Sequence, residues 1–468
     1  MLAAIHYSPY PTWLNPADNT WQLVSATLVG LMSIPALAVL YGGLVQKKWI
    51  VNTMFMVFSG FALTLVVWMC WGYSFAFGSP QVNPFGNHGV TFFDSFFGRW
   101  FTLFSHTSEQ GKAVSGANTL IPFHFPTATL AYFQFVFAAI TPLLFLGGLI
   151  GRLKFKAWLL IVPLWITGVY CVNAALLWGG GYLSHLGAVD YSGGYVIHLS
   201  AGVASLVGAA ILGPRLKRDR TTVPSNMTMV AMGAGILWLG WNGFNGGDPY
   251  YAGADAASAV LNTNVATAVG VLTWVAMDML FSKSKKPAFL GAINGMLCGL
   301  VAITPSAGWV NGFGAILVGL IASSIVWVAW NYLSKCRPFS KVDDALGVVY
   351  THGIAGLVGG LLVGFLADPK MLQYGQTGKH YAGGTKFFSV NGLFYGGGWH
   401  QEWEQILAAG WIIGFTAVMT AGIFYLVKFV LRGLREPDEV LEVGDLAIHG
   451  EEAFPAETFA ERVNSLSR

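Results

Sequence analysis

Asp190-Tyr191-Ser192-Gly193-Gly194-Tyr195-Val196-Ile197-His198 and Asp344-Ala345-Leu346-Gly347-Val348-Val349-Tyr350-Thr351-His352 carry one word twice: an aspartate, a glycine three residues on and a histidine five further. Both lie in or at the edge of a long apolar run. Ionisable side chains are costly inside a bilayer, so an embedded histidine marks a functional site. Two of them, at matching places in two halves of a chain, point to one shared site between structural repeats.

Composition sets the solvent. Of 468 residues, 54% are hydrophobic and 10% charged, against about 25% charged in an ordinary soluble domain. Apolar runs of about 20 residues are long enough to span a bilayer. Eleven occur, near 21–45, 52–77, 126–150, 157–178, 193–213, 227–247, 256–281, 288–304, 309–334, 345–367 and 402–431. The fold class expected is therefore an all-α integral membrane protein of eleven transmembrane helices.

Charge orients them, because short cytoplasmic loops are enriched in Lys and Arg. With the N-terminus outside and the C-terminus inside, 20 of the 25 Lys and Arg residues fall inside. The other five, Arg99, Lys112, Lys370, Lys379 and Lys386, fall outside. Residues 1–20 contain no Lys or Arg, so no cleaved leader is expected and the first span is expected to serve as its own insertion signal. Residues 1–434 read as the transmembrane domain and 435–468 as a soluble acidic tail. The outer segments 79–125 and 368–401 are expected to form an ordered cap.

Spans one to five and six to ten then form a five-plus-five inverted repeat, since an odd number of spans reverses the second copy. Asp190 opens span five from outside and Asp344 opens span ten from inside. An eight-residue helical step advances about 12 Å through hydrocarbon about 30 Å thick, so both histidines approach the midplane from opposite faces. Each aspartate can cap its helix, accepting from unpaired amides at the positive end of the dipole. For Asp344 capping suffices, whereas Asp190 at the outer mouth can also attract a cation. Two imidazoles in contact can share one proton, one ring donating and the other accepting. Helix-to-helix hydrogen bonding is the plainer reading of either histidine.

Aromatic residues form a second constellation: Gln134-x-x-Phe137 in span three, Trp178 before Gly179-Gly180-Gly181, and Gly240-Trp241-Asn242-Gly243-Phe244-Asn245-Gly246-Gly247-Asp248 at the end of span six. An aromatic cage attracts small cations through its ring faces. An interfacial aromatic belt would have the same composition. Cys70, Cys171, Cys298 and Cys336 are expected to be free. Gly291-x-x-x-Gly295-x-x-x-Gly299 permits close helix packing, and Asp278 is expected to pair with Lys283 or its neighbours. No phosphate loop, metal-ligand cluster or nucleophile constellation occurs. A pump driven by ATP and a hydrolase are therefore excluded, and no enzyme activity, cofactor, metal or nucleic-acid partner is expected.

These motifs resemble those of the ammonium transporters of the Amt/Mep/Rh superfamily, the Amt branch in particular. The likeness runs from about Trp21 into the tail. It rests on the stretch Asp190 to His198, on Asp343-Asp344-Ala345-Leu346-Gly347 with His352-Gly353, and on Gly240-Trp241 with Gly243-Phe244-Asn245. The resemblance implies a homotrimer in the cell membrane with a narrow hydrophobic pore through each subunit. It implies recruitment of ammonium, and of methylammonium as an analogue, at an outer cage that includes Trp178 and Phe137, with Asp190 buried near the mouth. It further implies a gate of Phe137 over Phe244, Trp241 lining the upper pore, and ammonia crossing beside a twin-histidine pair, His198 and His352. An ammonium sensor with little flux and a passive ammonia gas channel are the alternatives.

Two positions depart from the family's pattern. Asp248 stands at the edge of the cage where Ser is common, and Asn242 where an aromatic is common. A carboxylate at the mouth attracts cations over roughly 8 Å at physiological salt. Asp248 could instead cap the turn Gly246-Gly247-Asp248-Pro249. In the tail, Gly444-Asp445-Leu446 and His449-Gly450-Glu451 resemble the family's regulatory tail, which implies a PII-type signalling partner at the inner face. A solvated, disordered tail is the other reading.

Overall fold

The computed structural model describes residues 10–78, 96–98, 100–111, 113, 123–220, 224–380 and 386–455. Each of the eleven apolar stretches folds as a helix: α1 (Pro16–Leu44), α2 (Lys47–Phe77), α3 (Thr127–Leu146), α4 (Phe155–Leu186), α5 (Gly194–Leu212), α6 (Met227–Gly246), α7 (Ala254–Phe281), α8 (Phe289–Ile303), α9 (Gly312–Lys335), α10 (Val349–Leu366) and α11 (His400–Val430). Nine helices among the described residues are long and apolar enough to cross a membrane. Of the other two, α6 is as long but less apolar and α8 is 15 residues. One departure from an all-helical chain lies in the outer segment after α10. There β1 (Gln373–His380) pairs antiparallel with β2 (Lys386–Phe388). Most of the outer segment 79–125 falls outside the described residues.

Local chemistry sets the helix ends. Asn15 Oδ1 accepts from Ala17 N at 2.9 Å and Asp18 N at 3.3 Å, with Pro16 in the first turn of α1, the usual combination of side-chain cap and pre-set φ. The helix α3 is buried on almost every side and sits at the centre of the bundle. Its neighbours include α1, α2 and α5. Around this core α7 packs along α8 and α9, and the glycine run of α8 makes that approach possible: a Cβ at Gly295 or Gly299 would lie 2.5 Å from a carbonyl of α7.

The helices α5 and α10 pack directly on each other. They meet at Gly202 and Gly353, where a Cβ on Gly202 would lie 2.2 Å from Gly353 Cα. A side chain on Gly202 would hold the helices apart, which is how small residues act at membrane-helix crossings.

At the end of the bundle where the tail docks, Arg152 is fully buried and donates to the carbonyls of Ile150, Gly213 and Asp343. Arg215 binds Asp343 through Nη2 at 2.8 Å and Nε at 3.0 Å. Burial alone would raise the Asp343 pKa, but the hydrogen bonds and charge of Arg215, with the charge of Arg152, lower it to about 2. The tail docks beside this cluster as α12 (Asp438–Val443) and α13 (Asp445–His449). Asp445 accepts from Val51 N at 2.8 Å and Asn52 N at 2.9 Å, capping the start of α2. Lys48 Nζ donates to Leu441 O at 2.8 Å and lies 3.1 Å from Asp219. Residues 435–455 thus lie folded against the start of α2 and the loops beside it, and residues beyond 455 fall outside the described part.

Asp278 corrects an expectation. It has no Lys283 partner; Trp327 Nε1 on α9 donates to its Oδ1 at 2.8 Å and Ala288 N faces its Oδ2 at 3.5 Å. An indole held on a neighbouring packed helix is a fixed donor, whereas Lys283 lies in the polar turn beyond the end of α7. All four cysteines are free, Cys171 and Cys298 being buried and Cys70 and Cys336 exposed.

Candidate functional site

The repeated sequence word gives a repeated local structure. Asp190 accepts from Gly193 N at 3.2 Å, Tyr195 N at 3.0 Å and Val196 N at 2.9 Å. Asp344 accepts from Val349 N at 2.8 Å and from Ser205 Oγ at 3.2 Å. Each carboxylate therefore caps the helix that bears the histidine. The glycine of each word, Gly193 at φ 110° and Gly347 at φ 73°, takes the left-handed conformation that only glycine adopts freely. Each helix then opens with a π turn, Gly194–Leu199 and Val349–Ile354, and each π turn carries its histidine. Such widened turns are frequent at functional sites because they redirect one side chain without ending the helix.

The two histidines meet. His352 Nδ1 lies 3.2 Å from His198 Nδ1, with ring centroids 5.3 Å apart and planes inclined by 24°. One Nδ1 must donate and the other accept for this contact to be a hydrogen bond. His198 is fully buried, and its Nε2 has no partner among the described residues. Trp241 stacks on the His198 ring at 5.3 Å and Phe244 at 5.9 Å. The indole of Trp241 is itself fixed by a 2.9 Å hydrogen bond to Thr304 Oγ1.

Above the histidines, Phe137 and Phe244 stack with centroids 4.3 Å apart and planes inclined by 25°. The Phe137 ring meets Trp178 edge-on at 6.3 Å. Trp178 Nε1 donates to Asp190 O at 2.7 Å, tying the fourth helix to the start of the fifth. Outside this aromatic pair opens a cavity of about 400 Å³ whose walls include Trp178, Asp190, Tyr191, Asp248, Tyr250 and Trp309. Asp248 is buried, and its Oδ2 has no hydrogen-bond partner among the described residues. Below the histidines a small cavity of about 40 Å³ touches His352 and Thr351. A larger one of about 230 Å³ lies at the inner loops, and Leu44, Leu290, Asn294 and Leu346 line both.

Trp178, Phe137, Asp190, Asp248, Phe244, Trp241, His198 and His352 are thus joined by successive contacts between the 400 Å³ cavity and the small cavity beside His352. Asn242 is set apart. It accepts from Asn264 Nδ2 at 2.7 Å and joins α6 to α7 away from the cavity. Sequence reasoning missed Tyr250, whose hydroxyl accepts from Gln134 Nε2 at 2.9 Å, and Trp309, which packs on Tyr191. It also missed Gln373 and Phe388 of the outer hairpin. No local pattern distinguishes these aromatic residues from an interfacial belt. Among the described residues there is no group of His, Cys, Asp or Glu side chains able to hold a metal ion.

Known proteins share this arrangement of helices. Residues 20–454 match the family model described as Ammonium Transporter Family. Ammonium transporter 3 member 2 of Oryza sativa subsp. japonica is 44% identical over 94% of this chain and 90% of its own length. Ammonium transporter 2 of Arabidopsis thaliana is 42% identical over 95% and 89%. The solved structure of Saccharomyces cerevisiae Mep2 superposes with a TM-score of 0.75 at 28% identity, covering 92% of this chain and 89% of that one.

Proposed function

The chain belongs to the ammonium transporter family, and from that premise we propose that it recruits ammonium at the outer cavity, removes a proton and conducts ammonia past His198 and His352. The observation that carries this reading is the contact between the two histidines at 3.2 Å, beneath the stacked Phe137 and Phe244 and an aromatic cavity holding two carboxylates.

A cation is drawn to aromatic faces and carboxylates, here Trp178, Asp190 and Asp248. Stripping water from an ion in a dry apolar passage is far more costly than passing a small neutral molecule that needs few hydrogen bonds. The stacked phenylalanines therefore favour passage of ammonia over passage of intact ammonium, and the proton must travel separately. The imidazoles supply the polar contact below the gate: the unpartnered His198 Nε2 can exchange a hydrogen bond with ammonia, while the Nδ1–Nδ1 contact can pass a proton from ring to ring. If the proton follows by this route, transport carries net charge, and we infer an electrogenic cycle.

The same reading gives eleven spans as a five-plus-five inverted repeat, N-terminus outside and C-terminus inside, in a multi-pass protein of the cell membrane. Supporting it are the matching caps, left-handed glycines and π turns at the starts of α5 and α10. We further propose a homotrimer, with residues 435–468 as a cytoplasmic regulatory tail open to a PII-type signalling protein. The docking of α12 and α13 onto Lys48, Val51 and Asn52 supports a regulatory rather than a solvating tail.

The test is the current across proteoliposomes of the full chain after an ammonium concentration jump. A saturable inward current is expected. Ammonium uptake without current would replace this reading with a neutral gas channel, and binding without flux would replace it with a sensor.

A further inference from the structure

The outer cavity is much larger than its proposed cargo. Ammonium is close to water in size, and a water occupies about 30 Å³ of liquid. The cavity holds about 400 Å³, within the roughly 300–1,000 Å³ typical of sites for small organic ligands.

Its walls are aromatic on two sides. One is Trp178, with Tyr73, Phe77 and Phe123 among its neighbours in the lining. The other is a column in which Tyr191 meets Trp309 edge-on at 5.8 Å and Trp309 meets Phe388 edge-on at 5.5 Å. Phe388 comes from β2 and pairs across the hairpin with Gln373. Gln373 is buried and its Nε2 donates to Gly308 O at 2.7 Å, which fixes the base of the hairpin to the cavity wall. The hairpin therefore builds part of the site and does not merely cover it.

The polar content of the cavity is acidic. Asp190 and Asp248 both line it. The carboxylate of Asp190 is spent on the amides of α5, and the Ser192 hydroxyl faces the Asp248 carboxylate, but Asp248 Oδ2 is buried and unpartnered, as is the Tyr191 hydroxyl. A buried ionised carboxylate with an oxygen lacking a donor is costly, and that cost is relieved by a proton or by a bound cation. Aromatic faces around an unpaired carboxylate are the chemistry by which proteins hold alkylated ammonium ions. Beneath, the stacked Phe137 and Phe244 at 4.3 Å close the floor to anything bulky.

We propose that the outer cavity binds a small organic ammonium ion of the quaternary alkylammonium class, held between Trp178 and the Tyr191–Trp309–Phe388 column with its charge facing Asp248. The ion occupies the cavity without passing the phenylalanine pair, and so competes with ammonium. The inference rests on the reading of this cavity as the recruitment site.

Tetramethylammonium chloride is the probe, with sodium chloride at equal ionic strength as control. Titrated into the purified full chain, it should change the tryptophan fluorescence saturably. In proteoliposomes it should raise the half-saturating ammonium concentration without changing the maximal rate, and radiolabelled tetramethylammonium should not accumulate inside. Asp248→Asn should weaken its binding at least tenfold. Phe388→Ala, which removes the exposed end of the column, should weaken it at least threefold while shifting the half-saturating ammonium concentration by less. A silent titration, non-competitive inhibition, or uptake of the probe would overturn the proposal while intact ammonium transport left the underlying reading standing. Loss of ammonium transport in the parent as well would overturn both.

Discussion

Gly202→Ala tests the pore geometry with a single methyl group. Its Cβ would lie 2.2 Å from Gly353 Cα and 2.5 Å from Gly353 N, backbone atoms of the turn that carries His352. Ordinary contact begins at 3.4 Å, so the two helices must part by about 1.2 Å. Overpacking of this kind costs about 1–3 kcal/mol. The His198–His352 contact is 3.2 Å, and a hydrogen bond does not persist beyond about 3.5 Å, so a shift of that size breaks it. Gly353→Ala is the built-in control: its Cβ meets Gly202 Cα at 3.2 Å and needs a concession of only a few tenths of an ångström. The assay is the initial rate of ammonium uptake into proteoliposomes, with the thermal midpoint of each variant measured alongside. Gly202→Ala is expected to lose about tenfold or more in rate, as misplacement by about 1 Å does in other reactive sites. Gly353→Ala should stay within about twofold of the parent, since volume changes that a site can absorb cost little. A folded Gly202→Ala protein transporting at the parent rate, or Gly353→Ala as the more damaging change, would refute the argument.

Asp248→Ser should raise the half-saturating ammonium concentration about tenfold, since a charge-assisted hydrogen bond exceeds a neutral one by about 1.4 kcal/mol; unchanged saturation of uptake would remove Asp248 from recruitment. Arg215→Gln leaves the half-buried Asp343 carboxylate with only the Arg152 charge beside it and should lower stability by about 1–2 kcal/mol, read as a fall in thermal midpoint, and an unshifted midpoint would count against the ion pair. The docked tail should respond to pH through two opposed groups. Burial pushes the Asp445 carboxyl up to about 6 against the amides of Asn52 and Val51, so its contribution to docking is full below 3.8 and fades as pH rises through about 6. Burial holds the His449 imidazole below its ordinary value, despite Glu451, so its contribution is present above 6.5 and fades as pH falls. Hydrogen exchange across residues 438–450, corrected for intrinsic rates, should therefore show Asp445→Asn docking more weakly at pH 5 than at pH 7.5. His449→Asn should show the reverse, and the same trend in both variants would contradict the assignment.

The parts of this protein that sequence exposes are those in which residue type and spacing determine the geometry directly. The word from Asp190 to His198 and its twin at Asp344 to His352 announce two capped helices with one histidine each, because a carboxylate, a glycine and an eight-residue step leave few other arrangements. The eleven apolar stretches announce their helices for a similar reason: in lipid, the backbone of a continuous run must satisfy itself. What stayed hidden depends on neighbours distant in the chain. The crossing of Gly202 on Gly353 is one glycine contact among 59 glycines. The π turns differ from ordinary helix by a single residue of register. Trp327 reached Asp278 from a different helix, ahead of the nearby lysine. The Tyr191–Trp309–Phe388 column joins three distant segments, and its composition is that of any aromatic belt.

The paired imidazoles are the element on which the proposed proton transfer depends most directly. The decisive measurement compares the parent with a His198→Ala, His352→Ala double variant in proteoliposomes, recording ammonium uptake and current in the same preparation. A saturable current in the parent and its loss in a folded double variant is the predicted result. A double variant that keeps the parent's current would contradict the central claim, because a proton would then be crossing without the contact through which it is proposed to travel.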